Sequence, residues 1–214
     1  MDLTLTPSRI ARSVRARSRS LYWRRVRLRR RLQRHLHGSE VSIISSNCIG
    51  GRISTLAGNP YRSPTVGLSI DPESFLELVS DLPRYLTHEL SEDAEATARE
   101  GFPVGRMGEV TLHFQHYRAF ADAEQHWRER ALRVDVDNVV LLCTDRNGMS
   151  PDRIARFAAL PTPRKVILTA KPYPSFDCAA PVPAFAGASQ VGELYTHWDL
   201  LEPVLRGPRL DLFR

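Results

Sequence analysis

The sequence predicts a single α/β domain with a mostly parallel sheet flanked by helices, preceded by an arginine-rich N-terminal helix. Three runs carry the sheet: Val41-Ser-Ile-Ile44, Asn138-Val-Val-Leu-Leu-Cys-Thr144 and Lys165-Val-Ile-Leu-Thr169. They are short and dense in apolar and β-branched residues, as strands buried on both faces are. Helical stretches separate them, and that alternation implies parallel pairing. The first two runs end in small or polar residues and a turn, where the strand-end loops of such a sheet commonly bind ligands.

Residues 7–36 read as a helix. Pro7 suits its first turn, and Ile10, Val14, Leu21, Val26, Leu28, Leu32 and Leu36 recur at roughly helical spacing. Through residue 40 twelve arginines face only Asp2 and Glu40, so the net charge of +6 belongs to this segment and the remainder is mildly acidic. The division is therefore a basic arm over 1–38 and an α/β domain over 39–214.

After the first strand, Ser45-Ser-Asn-Cys-Ile-Gly-Gly-Arg52 reads as a strand-end loop, and Gly58-Asn-Pro-Tyr61 as a turn. Ser63-Pro-Thr-Val-Gly-Leu68 looks like the start of a second strand. Asp71 caps a helix with Pro72 in its first turn and Phe75, Leu76, Leu78 and Val79 on its apolar face. Residues 91–100 are polar and read as an exposed connection. Val110-Thr-Leu-His-Phe114 alternates as a strand, and 122–133 reads as a helix with Trp127 and Leu132 inward. Asp145-Arg-Asn-Gly148 turns off the second apolar run, and Ser150 caps the next helix.

A chain of 214 residues buries a core without disulfides, and its three cysteines, Cys48, Cys143 and Cys178, show no CxxC spacing. That pattern points to a reducing compartment. No apolar run reaches the length of a membrane helix and no signal-peptide core is present, so the expectation is a soluble cytoplasmic protein.

In a parallel sheet the loops leaving neighbouring strands converge on one crevice. Cys48 is the candidate nucleophile there, since a histidine within reach would generate its thiolate. His113 and His116 are the candidate bases and Asp145 the residue that would orient one of them. Gly50 and Gly51 leave backbone amides open to an oxyanion or phosphate. Arg52, Arg146 and Lys171 suit donor phosphates or a carboxylate, with Asn47 and Tyr117 beside them. Blander readings stand next to these: Cys48 as a small core residue, Asp145 and Arg146 paired with each other, and Trp127 as core. On a strand His113 and His116 would face opposite sides, which argues against a shared metal.

Several blocks in order resemble one family. They are Ile43-Ile-Ser-Ser-Asn-Cys-Ile-Gly-Gly51, Ser63-Pro-Thr-Val-Gly-Leu68, Phe102-Pro-Val-Gly105, His113-Phe-Gln-His-Tyr117, Cys143-Thr-Asp-Arg-Asn-Gly148 and Lys165-Val-Ile-Leu-Thr-Ala-Lys-Pro-Tyr173. They look like the bacterial domain-of-unknown-function 1919 family over roughly residues 40–200. That resemblance implies a role akin to exopolysaccharide or capsule biosynthesis proteins, some of them loosely described as acetyltransferases. Asn47-Cys48 also resembles the placement of a Gly-Asn-Cys motif in a capsule-polysaccharide acetyltransferase type that binds coenzyme A.

The expectation is an acyltransferase moving an acyl group from acyl-CoA or an acyl carrier protein to a sugar or glycosylated metabolite, with no resident cofactor or metal. Transfer proceeds through Cys48, or directly with a histidine activating the hydroxyl. A nucleotide-sugar-dependent glycosyltransferase is the alternative. So is a non-catalytic binding protein whose arm meets an acidic carrier protein or an anionic membrane surface. Nucleic acid is the least favoured partner, since no compact recognition motif is present.

Overall fold

The computed structural model describes the backbone of residues 7–214 and the side chains from residue 19 onward; Asp2 and the side chains of Ile10 and Val14 lie outside the described residues. In chain order the elements are α1 (Pro7–Leu36), β1 (Ser42–Ser45), α2 (Ile49–Ala57), α3 (Pro72–Ser80), α4 (Leu82–Thr87), β2 (Ser91–Glu92), α5 (Ala94–Glu100) and β3 (Val104–Met107). They continue with β4 (Val110–His113), α6 (Phe120–Ala131), β5 (Val139–Thr144), α7 (Pro151–Ala159), β6 (Lys165–Thr169), β7 (Ala179–Pro181) and α8 (Pro208–Asp211).

The main sheet has the order β1-β5-β6-β7, and all three pairings are parallel. Its strands alternate between two apolar layers because successive side chains leave opposite faces. Ile44, Leu141, Cys143 and Ile167 enter one layer with α3, α4, α6 and α7. Ile43, Val140, Leu142, Val166 and Leu168 enter the other with α1, α2 and the C-terminal segment. This is the α/β arrangement that the three apolar runs imply.

Three departures from the sequence reading have physical causes. Val110–His113 is not in the parallel sheet. It forms an antiparallel sheet with β3 and β2, in the order β2-β3-β4, which packs on the α3 side. Residues 63–68 form no strand; the residue that follows them bridges β4 at Ser69–His113. Leu132 lies past the end of α6 and is 89% exposed, whereas Trp127 is buried.

Leu28, Leu32 and Leu36 of α1 are buried in the layer that holds α2, so the second half of the basic helix belongs to the packed unit. Arg25 and Arg31 tie it there by pairing with buried Asp199 and Glu202. Among the described residues no helix is long and apolar enough to cross a membrane.

Candidate functional site

The helices that follow β1 and β5 leave the sheet on opposite sides. Ile49 and Ile53 of α2 pack in one layer, Ile154 and Phe157 of α7 in the other. Adjacent strands whose connections part in this way open a crevice at their carboxyl ends. A cavity of about 400 Å³ lies there. Asn47 and Cys48 come to it from the end of β1, Thr144 and Arg146 from the end of β5, His116 from beyond β4, and Tyr195 from the C-terminal segment.

Asn47 joins the two strand ends. Its Nδ2 donates to Thr144 Oγ1 at 3.2 Å, and its Oδ1 accepts the amide of Ile49, the first residue of α2, at 3.1 Å. The segment read as a loop through Arg52 is therefore already helix from Ile49. Gly50 and Gly51 lie in its first turn, where a side chain would crowd the neighbouring segments. A Cβ on Gly50 would stand 2.8 Å from Ser45 Cβ, and one on Gly51 3.0 Å from Val66 Cγ1. These glycines let α2 lie close on β1 and on residues 63–68, and neither lines the cavity.

Cys48 precedes α2 and lines the crevice. Its thiol donates to the Leu68 carbonyl at 3.6 Å, not to a histidine. Burial pushes this thiol above the usual cysteine range; Glu193 adds to the rise, and the Gly67 amide and Arg52 only partly offset it. Its resting state is a neutral thiol.

The two histidines go to different places. His113 Nδ1 stands 2.8 Å from Glu100 Oε2 and Nε2 stands 3.2 Å from Asp71 Oδ2, so this ring bridges α5 and the start of α3 away from the crevice. His116, beyond the end of β4, is exposed at the crevice with its ring centroid 6.2 Å from that of Tyr195. Asp145 does not orient either ring. Its carboxylate is buried and accepts the amides of Ala170 and Val191, each at 2.7 Å, which fixes the end of β6 and the segment that leads into residues 192–196.

Arg146 lines the crevice, and its buried Nε has no hydrogen-bond partner. Arg52 lies just behind, its guanidinium 3.9 Å from the Tyr195 ring centroid and its Nε likewise buried and unpartnered. Asp145 and Arg146 form no ion pair; the carboxylate is committed to backbone amides. Tyr117 is structural: its hydroxyl donates to Val66 O at 3.3 Å and accepts from Arg130 at 2.9 Å. Lys171 is exposed beyond β6 and outside the cavity wall.

Sequence reasoning missed the wall formed by Gly192, Glu193, Leu194, Tyr195 and Thr196. Glu193 shapes it by accepting the amides of Tyr195 and Thr196. No periodicity or motif marks this irregular stretch; the aromatic Tyr195 beside the acidic Glu193 is its only chemical signal. Among the described residues no cluster of three or more His, Cys, Asp or Glu side chains is arranged to hold a metal ion.

A family described as Domain of unknown function (DUF1919) matches residues 20–202. The chain belongs to this family. A relative from Haemophilus influenzae, itself described as an uncharacterized protein, is 34% identical over 168 residues, covering 78% of this chain and 80% of its own length. The family assignment therefore spans both crevice walls, the strand ends and residues 192–196, together with the second half of α1.

Proposed function

We propose that this DUF1919 protein is a transferase that moves an acyl group from a thioester donor directly to a hydroxyl of a sugar or glycosylated metabolite, without an acyl-Cys48 intermediate. The supporting observation is the pairing, in one crevice, of an exposed histidine with an arginine whose inner nitrogen is unpartnered. A buried guanidinium nitrogen without an acceptor costs free energy until an anionic or carbonyl oxygen meets it. Acyl-CoA donors carry such phosphate oxygens.

In this reading His116 takes the proton from the acceptor hydroxyl as its oxygen attacks the thioester carbonyl. The carbon–sulfur bond then breaks, and the leaving thiolate recovers that proton from the imidazolium. Arg146 holds the anionic part of the donor, Tyr195 and Asn147 line the acceptor side, and Cys48 contributes a neutral thiol to the wall. Direct transfer is favoured over the covalent route because the Cys48 thiol hydrogen-bonds the Leu68 carbonyl and no histidine, and burial pushes its pKa up rather than down.

The test is incubation with a panel of acyl-coenzyme A thioesters and sugar acceptors, read by thermal shift, intact mass and product formation. The expected result is stabilisation by a thioester, no protein adduct, and turnover that survives Cys48→Ala. A stable acyl adduct lost in Cys48→Ala would overturn direct transfer. Stabilisation by nucleotide sugars alone would overturn the acyl donor and favour glycosyl transfer.

A further inference from the structure

We propose that the outward face of α1 docks this protein on an anionic phospholipid surface, at the edge of the molecule that carries the crevice mouth. The segment Pro7–Leu36 contains no aspartate or glutamate. Its inward arginines are spent on the fold: Arg25 meets Asp199 and the Thr196 carbonyl, and Arg31 meets Glu202 and the Leu205 carbonyl. Arg19, Arg24, Arg29, Arg30 and Arg34 are exposed and have no carboxylate partner among the described residues.

An aromatic pair sits among these charges. Tyr22 and Trp23 are 61% and 49% exposed and pack edge to face with centroids 5.4 Å apart, next to exposed Leu21. Helical spacing puts Arg19, Trp23, Arg30 and Arg34 on one stripe opposite the buried Leu28–Leu32–Leu36 seam. Tryptophan and tyrosine beside arginine suit the headgroup layer of a bilayer, where the rings enter the acyl boundary and the cations meet phosphates. Among the described residues nothing buries this tryptophan–tyrosine–leucine patch.

A shallow cavity of about 440 Å³ opens beside the same helix, lined by Arg24, Arg27, Arg206 and the Glu202 carboxylate over Pro183 and Pro203. Glu202 pairs with Arg27 and Arg206 there, which leaves Arg24 as the cavity's cation without a carboxylate partner among the described residues, free to meet a lipid phosphate. The helix direction places this surface relative to the crevice. At its C-terminal end Leu36 O accepts Asn59 Nδ2 and His37 meets Ala57 O, next to the end of α2 farthest from the crevice. Arg25 hydrogen-bonds Thr196 on the crevice rim. Residues 19–24 therefore continue at and beyond that rim, at about 1.5 Å per residue, and an acceptor anchored in the bilayer would meet the crevice.

The full chain is mixed with phosphatidylcholine vesicles with and without phosphatidylglycerol, and binding is read by co-sedimentation and tryptophan fluorescence. Trp127 is buried and Trp198 half-buried under Arg25, so a blue shift reports Trp23 and disappears in Trp23→Phe. The expected result is salt-sensitive binding to phosphatidylglycerol vesicles with that shift. Replacing Arg19, Arg29, Arg30 and Arg34 together by Gln should lower the affinity by a few hundredfold, at about fivefold per surface arginine. These side chains are exposed, so unchanged thermal stability of the variant separates lost docking from lost folding. Equal binding to neutral vesicles, unchanged binding by the quadruple variant, or absence of the Trp23 shift would overturn the proposal. So would capture on duplex DNA or an acidic carrier protein without vesicle binding.

Discussion

His113 and His116 stand three residues apart and meet different surroundings. On β4 His113 is 15% exposed in its side chain and is held between Glu100 and Asp71, so its hydrogen-bonding capacity is spent on joining α5 to α3. His116 has left the strand, and its ring stands free at the crevice beside Tyr195. The contrast shows how one sequence block serves two ends: a strand holds one side chain against neighbouring elements, and the turn after it releases the next into a binding space. The same contrast separates Asp145, closed on two amides, from Arg146, whose Nε remains open.

The largest test of that contrast is turnover. His116→Ala should reduce the rate of the proposed acyl transfer by a hundredfold or more, as removal of a general base does, while His113→Ala leaves the rate per folded molecule nearly unchanged. Equal losses in both would erase the distinction. Next in size is Asp145→Ala, which strips the acceptor from two buried amides. Urea unfolding should show a loss of about 2–4 kcal/mol, with KM raised more than kcat falls because residues 191–196 lose their anchor.

Smaller again is His113→Ala, expected to cost about 1–2 kcal/mol of stability because the Glu100 contact is partly screened by solvent. Glu202 offers a pH test of how α1 is held. Burial raises its carboxyl, but hydrogen bonds from Arg206 and Arg31 outweigh burial and leave it below the usual glutamate range. A depressed folded value contributes stability that is present above the unfolded pKa of about 4.3 and lost as pH falls through the folded value. Wild-type stability should therefore drop on acidification more than that of Glu202→Gln. The smallest effect is on Cys48 alkylation. Its rate should lie severalfold below that of a free cysteine at neutral pH and keep rising past the ordinary thiol range. A fast reaction at neutral pH would restore Cys48 as a nucleophile.

Much of the main sheet was legible. β1, β5 and β6 are runs of Ile, Val and Leu that pack on both faces, a pattern that few other placements satisfy. β2, β3 and β7 were not, because they span two to four residues and include Gly105 and Pro181, which carry no strand signal. Asn47, Cys48 and Arg146 could be placed at a crevice because they follow predicted strands directly. Lys171 also follows one, yet its side chain points to solvent.

By itself the sequence determined the buried parallel strands, the basic helix and the two strand ends that meet at the crevice, since these follow from local apolar pattern and chain order. Only the tertiary structure decided which histidine reaches the crevice, that Asp145 serves backbone amides, and that residues 192–196 close the far wall. Those outcomes depend on contacts such as Asp145 with Val191, 46 residues away in sequence. Hydrogen bonds over that separation form only once the layers are packed, so no local pattern encodes them.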